Sequence, residues 1–274
     1  MAVPPQRFQL DRDIWNPSLY KSVRDYWFMG LEEDAKTQND TTLKRWWGKG
    51  RSEQDLKDMD NEVHKMFGPA VKSIGPEKLS LPEWKGYEKE LQQVEEIAAP
   101  LVAEVGTGKD GADTLLALIL LLDQMPRHMF RSQDELKLVY NHYDRLAWSV
   151  YRSFKTPGVA ASDNSPAANS WYRAHPVRNS WFLMPLIHSE HLASQEEALA
   201  AIQSWQKDAV DAGDDNVSQD LKSNEQASIS HRNIVKQFGR FPHRNEGLGR
   251  MTTSEEAEWL KTGETFGVKQ SSKE

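Results

Sequence analysis

Three arginines, one histidine and one amide fall within eleven residues at Arg240, His243, Arg244, Asn245 and Arg250. Gly239 and Pro242 interrupt any helix there, so the stretch is predicted to turn after a helix carrying His231, Ile234 and Val235. Guanidinium groups offer forked donors suited to carboxylate or phosphate, and backbone N–H groups beside glycines add to an anion nest. An acidic ligand is the sharp expectation. The competing one is that these arginines pair with the chain's own carboxylates and tie the fold together.

A second cluster, Asp123, Gln124, Met125, Pro126, Arg127 and His128, closes an apolar run. Asp123 and Arg127 are spaced for an ion pair at a helix terminus, serving either structure or a ligand. A third holds His188, Ser189, Glu190, His191 and Gln195. On a helix, His188 and His191 would share a face, but without cysteine, a His-Glu-x-x-His pattern or a calcium loop no metal site is assigned. Ser189 is a candidate helix cap. No Gly-x-Ser-x-Gly elbow supports a serine nucleophile. Gly106, Gly108 and Gly111 form a glycine-rich loop without the Gly-Lys-Ser/Thr of a phosphate loop.

The elements that must position these clusters read as helices. Leu19, Val23, Tyr26 and Trp27 share one face, and Leu56, Met59, Val63, Met66 and Phe67 another. Tyr87, Leu91, Val94, Ile97, Ala98 and Leu101 extend a stripe over five turns, which Pro100 bends. The segment 112–124 is apolar nearly all round and should be enclosed by the rest. Leu136, Val139, Tyr140, Tyr143, Leu146, Ala147 and Val150 draw a further stripe, and Leu192, Leu199, Ile202 and Trp205 a later one. Thr253 to Glu256 form a capping box before a short last helix that Gly263 stops. The expected fold is all-α, one domain over residues 1–274 with a polar, frayed tail at 267–274. Its antiparallel helices would form a tetratricopeptide-like superhelix or an irregular bundle. The polar stretch 157–169 reads as a long surface loop.

Composition narrows the function classes. The 274 residues carry 41 Asp and Glu against 34 Lys and Arg, a formal charge of −7, which disfavours broad attraction to nucleic acid or an anionic membrane. No cysteine is present, which excludes disulfides, thiolate metal sites and cysteine nucleophiles. No signal-peptide pattern stands at the N-terminus, and the apolar run 115–122 is far shorter than a membrane span. A cytoplasmic protein is expected. Ten Trp, against seven Tyr and nine Phe, are an excess. Trp205 and Trp259 read as core, whereas Trp27, Trp46 and Trp47 are candidates to line a pocket.

The same clusters carry a resemblance. Leu121-Leu122-Asp123-Gln124-Met125-Pro126-Arg127 with Phe130-Arg131, Phe182 through Glu190 with Gln195, and Phe238 through Asn245 with Leu248-Gly249-Arg250 resemble a family catalogued as domain of unknown function number 924. The resemblance reaches back to Tyr26-Trp27-Phe28 and the region 46–67. It implies an all-helical fold similar to tetratricopeptide-type superhelices and no established activity. The family pattern often has an acidic residue where His191 stands and Asn near His128, departures that weaken a metal pair.

Two functions follow as expectations. In the first, the clusters share a pocket for a small anionic metabolite. His188, Glu190, Asp123 and His243 would move protons, and Gln124, Arg127, Arg240, Arg244, Asn245, Arg250 and Trp27 would hold the ligand, with no cofactor. In the second, the helices form a noncatalytic scaffold for a peptide or protein partner. The choice between enzyme and scaffold stays open.

Overall fold

The computed structural model describes residues 8–155, 169–268 and 270. Most of the stretch 157–169, and residues 269 and 271–274 of the tail, lie outside the described residues. The described chain is all-α, without a strand. In chain order its helices are α1 (Pro17–Trp27), α2 (Asp40–Trp47), α3 (Glu53–Ser73), α4 (Tyr87–Leu91), α5 (Val94–Val102) and α6 (Gly108–Ile119). A π-helical turn, Leu120–Gln124, leads into α7 (Met125–Met129). Then follow α8 (Gln133–Leu138), a second π-helical turn (Val139–Tyr143), α9 (Asp144–Ser153), α10 (Ser170–Ala174), α11 (Pro176–Asn179), α12 (Met184–Ile187), α13 (Leu192–Asp211), α14 (Asp215–Phe238) and α15 (Ser254–Trp259). None of the helices is long and apolar enough to cross a membrane, among the described residues.

Local chemistry sets many of these boundaries. Asn16 accepts from the backbone N–H groups of Ser18 and Leu19, with Pro17 in the first turn of α1. Asn39 and Thr42 cap α2, Ser52 and Asp55 cap α3, and Ser132 and Glu135 cap α8 with reciprocal boxes. The expected box at Thr253 and Glu256 starts α15.

The chain divides into two compact units: Met1–Met129 with His142–Pro185, and Phe130–Asn141 with Leu186–Glu274. In the first unit, residues 115–122 are at most 1% exposed, as the all-round apolar pattern requires. Helix α6 packs on α1 and α9, α3 on α7, and α5 on α9. The α3 stripe is narrower than its sequence suggests: Met59, Val63 and Phe67 are buried, but Leu56 and Met66 are exposed. The five-turn stripe at 87–101 is two helices, because Gln92 and Gln93 make a turn between α4 and α5. Pro100 sits inside α5 and does not end it.

In the second unit, α13 and α14 form an antiparallel hairpin across a tight turn, with Gly213 at φ +69° where a side chain would strain. One end of the pair buries Ala209, Val217 and Leu221 against Trp205. The other buries Ile234, Val235 and Phe241 against Leu192, Phe238 and Trp259.

Candidate ligand site

The second unit concentrates the arginine-rich segment at the end of α14. Gly239 takes the left-handed conformation at φ +70° and stops the helix, and Pro242–Arg244 then form a 3₁₀ turn, as the Gly and Pro positions require. Two arginines of this segment pair with glutamates. Arg250 grips Glu190 with two hydrogen bonds of 2.7 and 2.8 Å, and the Phe241 backbone N–H donates a third at 2.9 Å. Burial pushes the Glu190 carboxyl up, but the Arg250 hydrogen bonds, the Arg244 and Arg250 charges and the Phe241 N–H outweigh it and hold the group below its ordinary range. Arg240 grips Glu256 at 2.6 and 2.8 Å and, with the Thr253 N–H, brings that carboxyl down to about 2. Asn245 reaches the same carboxylate at 3.2 Å.

Arg244 is buried, donates to the His188 carbonyl at 2.8 Å and lies against the Tyr140 and Phe241 rings at 4.4 and 4.6 Å. His243, buried, packs its ring against Phe241 and Phe266. His188 follows α12 in a turn and lies 6.0 Å from the His231 ring. His188 and His191 therefore do not share a helix face. Ser189 does not cap α13 either: its hydroxyl donates to the Leu186 carbonyl, and His191 occupies the cap position. Gln195 braces this turn by donating to the Ile187 and Ser189 carbonyls.

In the first unit, the π-helical turn places Asp123 in the core, fully buried, with Gln124 Nε2 donating to it at 2.5 Å. The expected Asp123–Arg127 pair is a long one at 4.0 Å. Arg127 instead forks onto Asp144 at 2.6 and 3.1 Å and donates to the Asp123 carbonyl at 2.7 Å. Trp27 is 1% exposed, packs edge-on against Trp181 at 4.9 Å and His128 at 6.1 Å, and its indole N–H has no acceptor among the described residues. His128 Nδ1 is 2.8 Å from Asp60, a pairing across sequence that no spacing signalled.

The first unit also contains a cleft of about 480 Å³ that motif reading missed. It is lined by Lys21, Arg24, Asp25, Phe28, Met29, Gly30, Leu31 and Glu33 in and after α1, by Lys109, Asp113 and Leu116 of α6, and by Trp171, Tyr172 and Arg178 of α10 and α11. Asp113 accepts from the Tyr172 hydroxyl at 2.7 Å and from Lys109 at 3.1 Å, with Arg24 at 3.5 Å. Burial and the Asp113 carboxylate both push the Tyr172 phenol up, keeping it a donor. Lys109 lies 4.3 Å over the Trp171 ring.

Arg178 also lines the cleft. Its guanidinium lies 4.6 Å over the Phe28 ring and donates to the Glu32 carbonyl at 3.0 Å, while its buried Nε has no acceptor. Among the described residues, no carboxylate forms an ion pair with it. Burial is the largest influence on it and lowers its affinity for the proton. The only sequence signal was a lone Arg after His-Pro, outside every dense motif.

A family model described as "Bacterial protein of unknown function (DUF924)" matches residues 23–264. The chain belongs to the DUF924 family. A solved structure of a protein of unknown function from Agrobacterium tumefaciens is similar over 90% of this chain and 98% of that one, at 25% identity and a TM-score of 0.50. No curated protein matches. Of the three DUF924-like clusters recognised in sequence, the first lies in the first unit at Asp123 to Arg127. The arginine-rich cluster lies in the second, with His188 and Glu190.

Proposed function

We propose that this DUF924 member binds a small anionic molecule in the cleft of the first unit, with Arg178 as its anchor and Arg24 and Lys109 in support. The observation that carries this reading is the partly buried Arg178 guanidinium, which borders the cleft and has no carboxylate partner among the described residues. A cation withdrawn from water ordinarily gains a counter-ion, and the cleft beside it has room for one. In contrast, Arg127, Arg145, Arg240 and Arg250 each hold a carboxylate of the protein at 2.6–2.8 Å. Binding, rather than proton transfer, is the chemistry supported. Asp113, the cleft's half-buried carboxylate, is committed to Tyr172, Lys109 and Arg24. In the second unit Glu190 is likewise committed to Arg250.

Calorimetric titration with small carboxylates and inorganic phosphate tests the reading. At least one anion is expected to bind the wild type, and Arg178→Ala is expected to weaken it tenfold or more with the fold intact by circular dichroism. Binding that persists unchanged in Arg178→Ala, or no binding of any anion to the wild type, would overturn it.

A further inference from the structure

We infer that residues 264–268, with Gln270, form a detachable strap whose Phe266 ring covers an imidazole face of the second unit and withholds it from small molecules in solution. The Phe266 ring lies flat on that of His231, with 3.9 Å between centroids and 16° between planes. It meets the His243 ring edge-on at 5.6 Å and that of Phe241 at 6.2 Å. The His188 ring lies 6.0 Å from that of His231, and Arg244 donates to the His188 carbonyl. The covered face therefore adjoins the cluster that carries the DUF924 resemblance. Residues 265–270 of the strap lie beyond the family match, which ends at residue 264.

The backbone gives the first argument. Phe266 has φ +52°, the one non-glycine at positive φ among the described residues, and Gly267 follows at +81°. The Val268 N–H donates to the Thr265 carbonyl at 3.0 Å, so both central residues of this tight turn are left-handed, as in type I′. Asn, Asp or Gly ordinarily holds the first of those positions, and a Cβ there costs free energy. A large ring at such a position is offset by what the ring touches, and a local rule broken in this way points to a functional contact. The ring is 37% exposed, which suits a cover better than a core residue.

Attachment gives the second. The Phe266 N–H donates to the Glu264 carboxylate within the strap. Among the described residues, the strap's one hydrogen bond to the rest of the unit runs from Gln270 Nε2 to the His243 carbonyl at 3.1 Å. A segment held by one ring stack and one such bond opens locally, without unfolding α14.

The test is carbethoxylation of the full chain by diethyl pyrocarbonate, with the rate at each histidine read by mass spectrometry. Phe266→Asn removes the ring but keeps a residue that tolerates the left-handed turn. It is expected to speed modification of His231 about tenfold, with the exposed His64 of the first unit unchanged and cooperative unfolding retained. Gly267→Ala keeps the ring and strains the turn, and is expected to raise the His231 rate by a smaller factor. An unaltered His231 rate in Phe266→Asn would overturn the cover, and an unaltered rate in Gly267→Ala its detachment. Loss of cooperative unfolding in Phe266→Asn would make the ring part of the core and overturn the strap. Hydrogen exchange on the wild type checks opening independently of any variant: amides 266–268 should exchange well before 231–238, and exchange of both in one global event would overturn the proposal.

Discussion

Arg250 and Arg178 show how the same side chain does different work according to what stands opposite it. Arg250 forks onto Glu190, whose carboxylate is largely buried and also accepts from the Phe241 N–H. Removing the arginine leaves a charge in a poorly solvated place. Arg250→Ala is therefore expected to cost about 2–4 kcal/mol in denaturant unfolding. Adding Glu190→Gln should restore part of that loss, because the amide oxygen still accepts from Phe241 and no buried charge remains. If the two losses simply add, Glu190 and Arg250 do not support each other. The sequence made the density of arginines legible and offered both an acidic ligand and internal pairing. It did not show partners, since Glu190 and Arg250 are sixty residues apart and meet only through the turn after α14. For Arg178 the same blindness worked the other way: the lack of a carboxylate is a tertiary fact, and an isolated arginine carries no pattern.

The helices themselves were largely legible, because amphipathic spacing is a local property and the capping residues stand beside the faces they start. The π-helical turns were not. Each widens the helix locally while Leu120, Leu121 and Leu122, or Val139, Tyr140 and Tyr143, keep the apolar stripe going, so 120–124 and 139–143 read as plain continuations of regular helix. The consequence falls on Asp123, which stands in the first of these turns and is fully buried, while Arg127 four residues later turns to Asp144. Gly263 does not stop α15, which ends at Trp259 with Leu260 as its cap. It has no left-handed conformation, but a Cβ there would come within 2.4–2.6 Å of the Trp259 ring, which packs on Phe238 and closes the buried cluster under α14. Gly263→Ala is expected to displace that ring and cost about 1–3 kcal/mol. Gly267→Ala tests a different constraint, strain at φ +81° with open space around the site, and leaves the ring in place. A Trp259 emission spectrum unchanged in Gly263→Ala, with unaltered stability, would count against the close contact as the reason for glycine.

At the scale of the whole molecule, the ionisable groups held in one state by the fold are unevenly divided. Burial raises the phenol pKa of Tyr20, Tyr26, Tyr143 and Tyr172, to about 12 for Tyr26, and all four belong to the first unit. The Glu190 and Glu256 carboxyls, held ionised by Arg250 and Arg240, belong to the second. A phenol whose folded pKa is raised contributes stability that is fully present below its ordinary value of 10.0 and is lost as pH rises through the folded value. A carboxyl whose folded pKa is lowered contributes stability present above its ordinary 4.5 and lost as pH falls, toward about 2 for Glu256. Acid should therefore loosen the second unit first, between pH 4.5 and 2, and alkali the first unit, above pH 10. Bulk tryptophan emission would follow mainly the first unit, since only Trp205 and Trp259 stand in the second. Hydroxyl-radical footprinting mapped by mass spectrometry resolves the two. Early exposure of segments 186–268 is expected on acid titration, and of segments 17–129 and 142–154 on alkaline titration. Loss of protection in both units at one midpoint in each titration, or in the reverse order, would show that these groups do not govern the pH limits of the fold.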